Sequence, residues 1–568
     1  MSDAPQPAAD QRPAGWRALF PPAQWLPRYQ TSWFRHDALA GLTLAAFVIP
    51  ESMAYASLAG LPPQYGVYCY LVAGPAYALF GSSRQLAVGP TSAISLLIGS
   101  TLLGMTEGDP HRWAQIAALT ALIFAVMSLL AWALRLSSLV SFISETILLG
   151  FKAGAALTIA LTQLPKLFGV HGGSGNFFER AWALGTQLPQ TNFAVLAFGL
   201  AAIAALVAGE RFFRGRPVAL VVVAASIVAL SVTPLGQLGF KTVEALPAGF
   251  PEIALPSLRP SDVDGVIPLA FACFLLAYIE GVSAARTLAD KHGYEIDARQ
   301  ELLALGAANI AAAFGQGYPV AGGLSQSTVN DEGGAKTPLA LVMASIAIGL
   351  CLLYLTGLLT NMPEVILAAI VLVAVRGLIK IAELRRIREL SRLEFWVAKV
   401  AFAGVLLLGI LKGVLLAAIV SIVLLIRGVA LPHVARLGRI PGTQRYSDCE
   451  RHPDNETVPG VLIVRVEGGL LYFNASHVRE RLRALVEAEG ASLRLVVWDL
   501  SASPYVDIAG ARLLGDVQRE LDARGILLRA VEAHATVREL VRKEIGTNLG
   551  EISRRISIDD VVTERAAS

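Results

Sequence analysis

Apolar runs long enough to cross a bilayer recur from Ala38 almost to Arg427, and this constrains the chain more than any other feature. Crossing roughly 30 Å of hydrocarbon takes about 20 residues of helix. Where no water reaches, the backbone must satisfy its own N–H and C=O groups, which a helix does within one segment. Only 16% of the 568 residues are charged and 54% are hydrophobic, against roughly 25% charged in ordinary globular domains. From about Pro432 the texture changes: charges return, and short alternating strands are interleaved with amphipathic helical stretches, as in a soluble α/β unit. The expected organisation is an N-terminal segment 1–36, a membrane domain 37–430, a linker 431–458 and a soluble domain 459–568.

Allowing for short and broken helices gives about 14 spans. They fall near 37–59, 65–81, 88–103, 113–134, 138–164, 192–208, 217–232, 265–285, 299–315, 324–331, 337–358, 363–379, 394–411 and 413–430. An error of one span would reverse every later loop, so cation placement tests the count. With the N-terminus inside, inner loops receive Arg84, Arg135, Arg211 with Arg214 and Arg216, Arg286 with Lys291, and Lys336. The loop after span 12 adds Lys380, Arg385, Arg386, Arg388 and Arg392. Outer loops hold few cations, namely Arg112, Arg180, Lys241 and Arg259. Both termini are therefore expected in the cytoplasm.

The first 36 residues include Arg12, Arg17, Arg28 and Arg35 but no apolar core followed by a small-residue cleavage site, so no cleavable signal peptide is expected. Cys69, Cys273, Cys351 and Cys449 have no paired spacing, which argues against a disulfide framework and a metal site. A formal charge of +3 is too small to imply nucleic-acid binding. No nucleophile–base pair, ligand cluster or phosphate loop points to an enzyme or a cofactor, and His292 and His477 read as surface residues.

Spans 3 and 10 are anomalous. Span 3 opens on "VGPTSAIS" (Val88–Ser95) and span 10 on "GGLSQSTVN" (Gly322–Asn330), each a short helix after irregular, Gly- or Pro-containing chain. If spans 1–7 and 8–14 are two copies, the two breaks correspond, and matched broken helices point to a transporter binding site near the midplane. A half-helix that starts inside the bilayer must satisfy its first N–H groups. A bound anion does this, and two N-termini of roughly +0.5 each offer about +1 without a basic side chain. Pro90 is expected as the first helical residue. Gly89, Thr91, Ser92 and Ala93 would then face the anion, with Gly323, Leu324, Ser325, Gln326 and Ser327 opposite. The competing account is that these residues merely cap surface helices.

The stretch "DALAGLTLAAFVIPESMAYASLAGLPPQYGVY" (Asp37–Tyr68) resembles the opening signature of the sulfate permease (SulP) family. "SETILLGFKAGAALTIALTQLPKLFG" (Ser144–Gly169), "IEGVSAARTLADKHGYEIDARQEL" (Ile279–Leu302) and "GGLSQSTVNDEGGAKTPLA" (Gly322–Ala340) resemble later blocks of that family in the same order. The resemblance implies two inverted seven-span repeats divided into core and gate domains, an anion between spans 3 and 10, and a homodimer working by an elevator-like shift. The C-terminal part, "GVLIVRVEGGLLYFNASHVRERLRALV" followed by "RLVVWDLSASPYVDIAGARLLGDVQREL", reads as strand, strand, helix, strand, loop, helix and resembles a STAS domain. That module implies a role in assembly or control and a possible cytoplasmic partner. In STAS antagonists a serine of the D-S-S-G loop is phosphorylated; here the loop is "DIAG" (Asp507–Gly510), and Ala509 excludes that switch. Ser501 and Ser503 read as turn residues.

Acidic residues inside spans are costly and are functional candidates by default. Glu51 follows Pro50 in span 1 with Tyr55 one turn beyond, and by resemblance both line the anion pocket. Glu280 in span 8 matches a carboxylate found in related sulfate–proton cotransporters. A carboxyl away from water favours its protonated form, which suits either residue to carry the coupling proton; a structural carboxyl bonded to a neighbouring helix is the alternative. Gln326 stands where many animal relatives have arginine, so about +1 from two helix ends leaves a dianion one charge short. A proton, or a sodium ion, would supply it. The expected function is proton-coupled sulfate import. Sodium-coupled bicarbonate transport, dicarboxylate transport, and an exchanger or channel remain open. Lys152 inside span 5 either adds positive charge near the path or snorkels or pairs with an acid.

Overall fold

The computed structural model describes residues 19–102, 110–137, 145–173, 175–213, 217–233, 238–243, 247, 249–256, 258–359, 362–546 and 556–567. Arg12, Arg17, Arg214, Arg216 and the first residues expected for span 5 lie outside the described residues. The chain divides into two compact units, residues 1–421 and 422–568.

The first unit is built from helices. Its first half contains α1 (Thr31–Leu58), α2 (Gln64–Phe80), β1 (Val88–Gly89), α3 (Ser92–Leu102), α4 (Pro110–Ala133), α5 (Glu145–Phe168), α6 (Phe177–Gln187), α7 (Phe193–Phe212) and α8 (Val218–Val232). The second half repeats the order with α9 (Pro260–His292), α10 (Ala298–Phe314), β2 (Ala321–Gly322), α11 (Leu324–Glu332), α12 (Leu339–Tyr354), α13 (Glu364–Arg376), α14 (Ile381–Leu390), α15 (Arg392–Leu408) and α16 (Ile410–Ala430). Each expected span has its helix among the described residues, and six of the helical stretches are by themselves long and apolar enough to cross a membrane. The lipid-type surface shows in exposed apolar side chains along one helix face, such as Val221, Val228 and Val232 of α8.

Two helices were not expected. The amphipathic α6 and α14 occupy the same place in the two halves, after spans 5 and 12. The basic stretch read as a loop after span 12 is therefore partly helix: Arg385, Arg386 and Arg388 lie on α14, and none of its residues is buried.

Packing follows the same twofold pattern. The contact of α12 with α1 has its counterpart in α4 with α9, that of α10 with α4 in α2 with α12, and that of α15 with α5 in α7 with α13. Helices α1–α4 pack with α9–α12 as one group; in a second, α5 packs with α13 and α15, α7 with α8 and α13, and α16 meets α15 at Gly404 and Gly413, while α1 also touches α8 and α13. In the second group Gly150 and Gly154 of α5 form a small-xxx-small face against α15. A Cβ on Gly154 would stand 2.9 Å from the Phe402 carbonyl, and one on Gly150 would strike the Ala398 carbonyl.

The second unit is a five-stranded sheet ordered β4-β3-β5-β6-β7, with β3 (Val434–Arg439), β4 (Tyr446–Asp448), β5 (Val461–Val466), β6 (Leu495–Asp499) and β7 (Leu527–Val531). Strands β5, β6 and β7 run parallel, which requires crossovers. Helices α17 (Ala475–Glu489) and α18 (Ile508–Asp522) supply them, and α19 (Ala535–Ile545) and α20 (Ile558–Ala567) complete the layers. Alternation along β5 sends Leu462, Val464 and Val466 to the core under α17–α19, and Val461 and Ile463 to the core under α20.

Two expectations change here. Residues 434–448, within the segment read as a linker, form β3 and β4, because β3 pairs with β5 from Val434 to Leu437 and buries Ala435 and Leu437. The second strand expected around "GGLLYF" does not form; Leu470 makes only an isolated bridge to Val506. In the DIAG loop Asp507 caps α18 by accepting the Gly510 N–H at 2.8 Å, and the Ser503 hydroxyl donates to the Gly468 carbonyl at 2.9 Å. The first is a helix cap, and the second is a buried tie from the loop after β6 to the end of β5, more than the turn role expected of Ser503.

Candidate anion-binding site

β1 and β2 come from opposite halves of the chain and pair antiparallel, Val88 with Gly322 and Gly89 with Ala321. This two-residue ladder brings the starts of α3 and α11 together. Side chains lock it. The Ala87 N–H donates to Ser327 Oγ at 2.8 Å, and that hydroxyl donates to the Gly323 carbonyl at 2.6 Å. Gln326 Nε2 donates to the Pro90 carbonyl at 2.8 Å. Asn309 of α10 grips the irregular chain before β2, accepting from Val320 N–H at 2.9 Å and donating to its carbonyl at 3.1 Å. The Tyr70 ring of α2 fills the place a Cβ on Gly89 would need, which explains why glycine stands there.

Helix starts follow from the same local chemistry. The Thr91 carbonyl accepts the Ser95 N–H at 2.9 Å, making Thr91 the N-cap of α3. Pro90 is therefore not the first helical residue as expected: it stays in the irregular chain, with its carbonyl held by Gln326. The free first-turn donors of α3 are the N–H groups of Ser92, Ala93 and Ile94, and Thr91 contributes its hydroxyl. In α11 the N-cap is Gly323, which has no side chain to cap with, so the N–H groups of Leu324, Ser325 and Gln326 lack intrahelical acceptors.

Burial sorts the residues around these ends. Glu51 is 3% exposed, Thr91 8%, and Gln326 2%, while Leu324 is 47% exposed. Ser92, Ala93 and Gly89 are buried, Gly323 is half-buried and Ser325 is exposed. Ser327 is fully buried and its hydroxyl is committed to the β1–α11 scaffold. Tyr55 donates its hydroxyl to Glu51 Oε1 at 2.9 Å and lies beside Ser92.

Among the described residues eight buried side-chain polar atoms have no hydrogen-bond partner of good geometry, and four belong to this cluster: Glu51 Oε2, the Tyr70 hydroxyl, Thr91 Oγ1 and Gln326 Oε1, with the Gln326 amide also lying close to the Glu51 carboxyl. A buried polar atom left unpaired costs roughly 1–3 kcal/mol, so this concentration at two helix N-termini marks a place built for a polar ligand. Tyr70 was not read from the sequence, where nothing separates it from the other aromatic residues of span 2. Glu301 of α10 shows the opposite case: its carboxylate accepts from Tyr77 Oη at 2.9 Å and from the Ser82 N–H and hydroxyl at 2.9 and 2.6 Å. That buried acid is a structural tie.

Glu280 lies on α9 next to Gly281, which packs against Gly322 of β2. Its Oε1 is 3.2 Å from Lys152 Nζ on α5. Of the readings open for Lys152, the structure shows pairing with an acid. The pair links the two helix groups described above.

Residues 34–401 match the model of the sulfate permease family, and residues 452–553 match the STAS domain. A probable sulfate transporter of Mycobacterium tuberculosis (strain CDC 1551 / Oshkosh) is 33% identical over 92% of this chain and 94% of its own length. Low affinity sulfate transporter 3 of Stylosanthes hamata is 32% identical over 90% of this chain and 85% of its own. Among solved structures, the murine Solute Carrier 26 member A9 anion transporter in its inward-facing state superposes with a TM-score of 0.89 at 23% identity, covering 99% of this chain and 97% of that one. The transmembrane domain of a cyanobacterial bicarbonate transporter, BicA, gives 0.60 at 18% identity, covering 70% and 98%.

Proposed function

From the premise that the chain belongs to the sulfate permease family of multi-pass anion transporters, we propose that it imports sulfate together with protons. The single observation that carries the site is the cluster of four unpaired buried polar atoms at the facing N-termini of α3 and α11. In this reading the anion accepts from the free first-turn N–H groups and from the Thr91 and Tyr70 hydroxyls. Gln326 is neutral, so the two helix ends supply about +1 against a dianion. An ionised Glu51 would add a further negative charge beside the dianion, and a proton taken up with the anion removes that repulsion. Glu51 Oε2, unpaired beside the site, is suited to hold that proton against the anion, as a hydrogen-bond donor once protonated.

Glu280 is the second carrier. Lys152 balances its charge while the two helix groups stand as they do here, and protonation would release the pair as the α1–α4/α9–α12 group shifts along the other in an elevator-like step. The protein works as a homodimer in the inner membrane with both termini cytoplasmic, and the STAS domain governs assembly or transport through a cytoplasmic partner.

The test is radiolabelled sulfate uptake into proteoliposomes with an inward proton gradient, a sodium gradient, or neither. Proton-dependent accumulation supports the reading. Accumulation driven by sodium alone would replace the coupling ion, and no sulfate uptake in any condition would turn the substrate to bicarbonate or a dicarboxylate.

A further inference from the structure

Three cations converge at the C-terminal end of α5. A cavity of about 230 Å³ is lined by Lys166, Arg180 and Lys241, together with His171, Phe240 and Glu364. Three cations against one carboxylate leave an excess of two positive charges. Lys166 stands in the last turn of α5, where the helix end alone would favour a cation. Arg180 comes from α6 and Lys241 from the segment before α9, so the helix end does not explain their convergence. Among the described residues, neither Lys166 nor Lys241 makes a close ion pair or a side-chain hydrogen bond, although Glu364 attracts Lys166 and Lys241 repels it at longer range, and Arg180 spends its Nε on the Gly175 carbonyl at 2.9 Å.

The walls are held in place. Gln187 clamps Gly172 with two hydrogen bonds of 3.0 and 2.9 Å, Asn192 donates through Nδ2 to the Leu238 carbonyl at 2.8 Å, and the Glu364 N–H donates to the Lys241 carbonyl at 2.9 Å. A pinned cavity with unpaired cations concentrates counter-charge. We propose that it is a second anion site, separate from the half-helix site, which takes a tetrahedral oxyanion group. The volume holds such a group with several waters at roughly 30 Å³ each. The group belongs to free sulfate or phosphate, or to the phosphate of a lipid headgroup with net negative charge.

The test is equilibrium binding of radiolabelled sulfate to the full-length protein in nanodiscs of phosphatidylcholine, repeated with phosphatidylglycerol included. Two classes of site per chain are expected. Lys166→Gln with Lys241→Gln should weaken one class about tenfold or more and leave the other, while Thr91→Val does the reverse. Glu364→Gln should tighten the cavity class several-fold, a gain that misfolding cannot mimic. Loss of that class only with phosphatidylglycerol identifies a headgroup as the occupant, and equal binding in both lipids identifies the free anion. A single class that responds to Thr91→Val and ignores the lysine and Glu364 variants overturns the proposal. A single class that responds to those variants alone upholds it and counts against the half-helix site.

Discussion

Replacing Thr91 by valine should move stability and binding in opposite directions. Valine keeps the β-branched shape that suits the extended N-cap backbone and removes only the hydroxyl, whose oxygen has no partner. No capping bond is lost. In the empty protein the change removes an unpaired buried polar atom, a penalty of about 1–3 kcal/mol, so thermal unfolding without anion should occur at the same temperature or higher. With sulfate present the variant forfeits a hydrogen bond to a charged acceptor, worth about 1.5–3 kcal/mol. At about 1.4 kcal/mol per decade this weakens sulfate roughly 12- to 150-fold. Melting curves of purified protein across a sulfate titration measure both effects: the variant should start no lower than wild type and gain less from sulfate. A variant that melts lower without anion and keeps wild-type sulfate affinity would refute the reasoning.

Further outcomes follow from other parts of the structure. Glu280→Gln should reduce proton-driven accumulation at least tenfold while changing sulfate affinity by only a few fold; equal losses in both would assign Glu280 to binding rather than coupling. Because the substitution also strands Lys152, the double variant with Lys152→Gln should recover expression and melting temperature but not accumulation. Gly89→Ala should drive its methyl group into the Tyr70 ring, cost about 1–3 kcal/mol as overpacking and abolish uptake; wild-type uptake would show that β1 can shift without harm. In the soluble unit, burial first and then the Asp559 carboxylate, which accepts from the Tyr446 hydroxyl at 3.0 Å, push the Tyr446 phenol up to about 12. The neutral phenol is the form the fold favours, so its contribution is complete below pH 10 and disappears as pH rises through about 12. Tyr446→Phe should remove one late phenolate from an ultraviolet titration and make alkaline unfolding less steep; an unchanged titration would show that this phenol ionises elsewhere.

The spans were legible because lipid enforces one periodic answer: each apolar run of sufficient length had to be a helix, and each is. The two broken helices were legible for a related reason, since Gly89 with Pro90, and Gly322 with Gly323, stand directly before short hydroxyl-bearing helix starts at corresponding places in the two halves. What joins them was not. Strands of two residues, Val88–Gly89 and Ala321–Gly322, carry no periodicity, and their pairing is decided by how the two halves pack. Ser325 and Ser327 look alike in "LSQS", yet two positions along the helix are enough to leave the first exposed and turn the second into the fully buried tie between β1 and α11. The partnership of Lys152 with Glu280 crosses 128 positions, and only three dimensions choose it over snorkelling. Likewise Arg180 and Lys241 read as scattered outer cations, and Lys166 carries no signal of its own, until α5, α6 and the chain before α9 fold around one cavity.

The most direct test of the account is to locate the anion. Crystals of the full-length protein grown with selenate in place of sulfate, recorded at the selenium absorption edge, report its position by anomalous scattering. The account predicts a peak between the N-termini of α3 and α11, within hydrogen-bond reach of the Thr91 hydroxyl and the Ser325 N–H, and its disappearance in Thr91→Val at the same selenate concentration. Selenate found only elsewhere, at a concentration that saturates uptake, would contradict it.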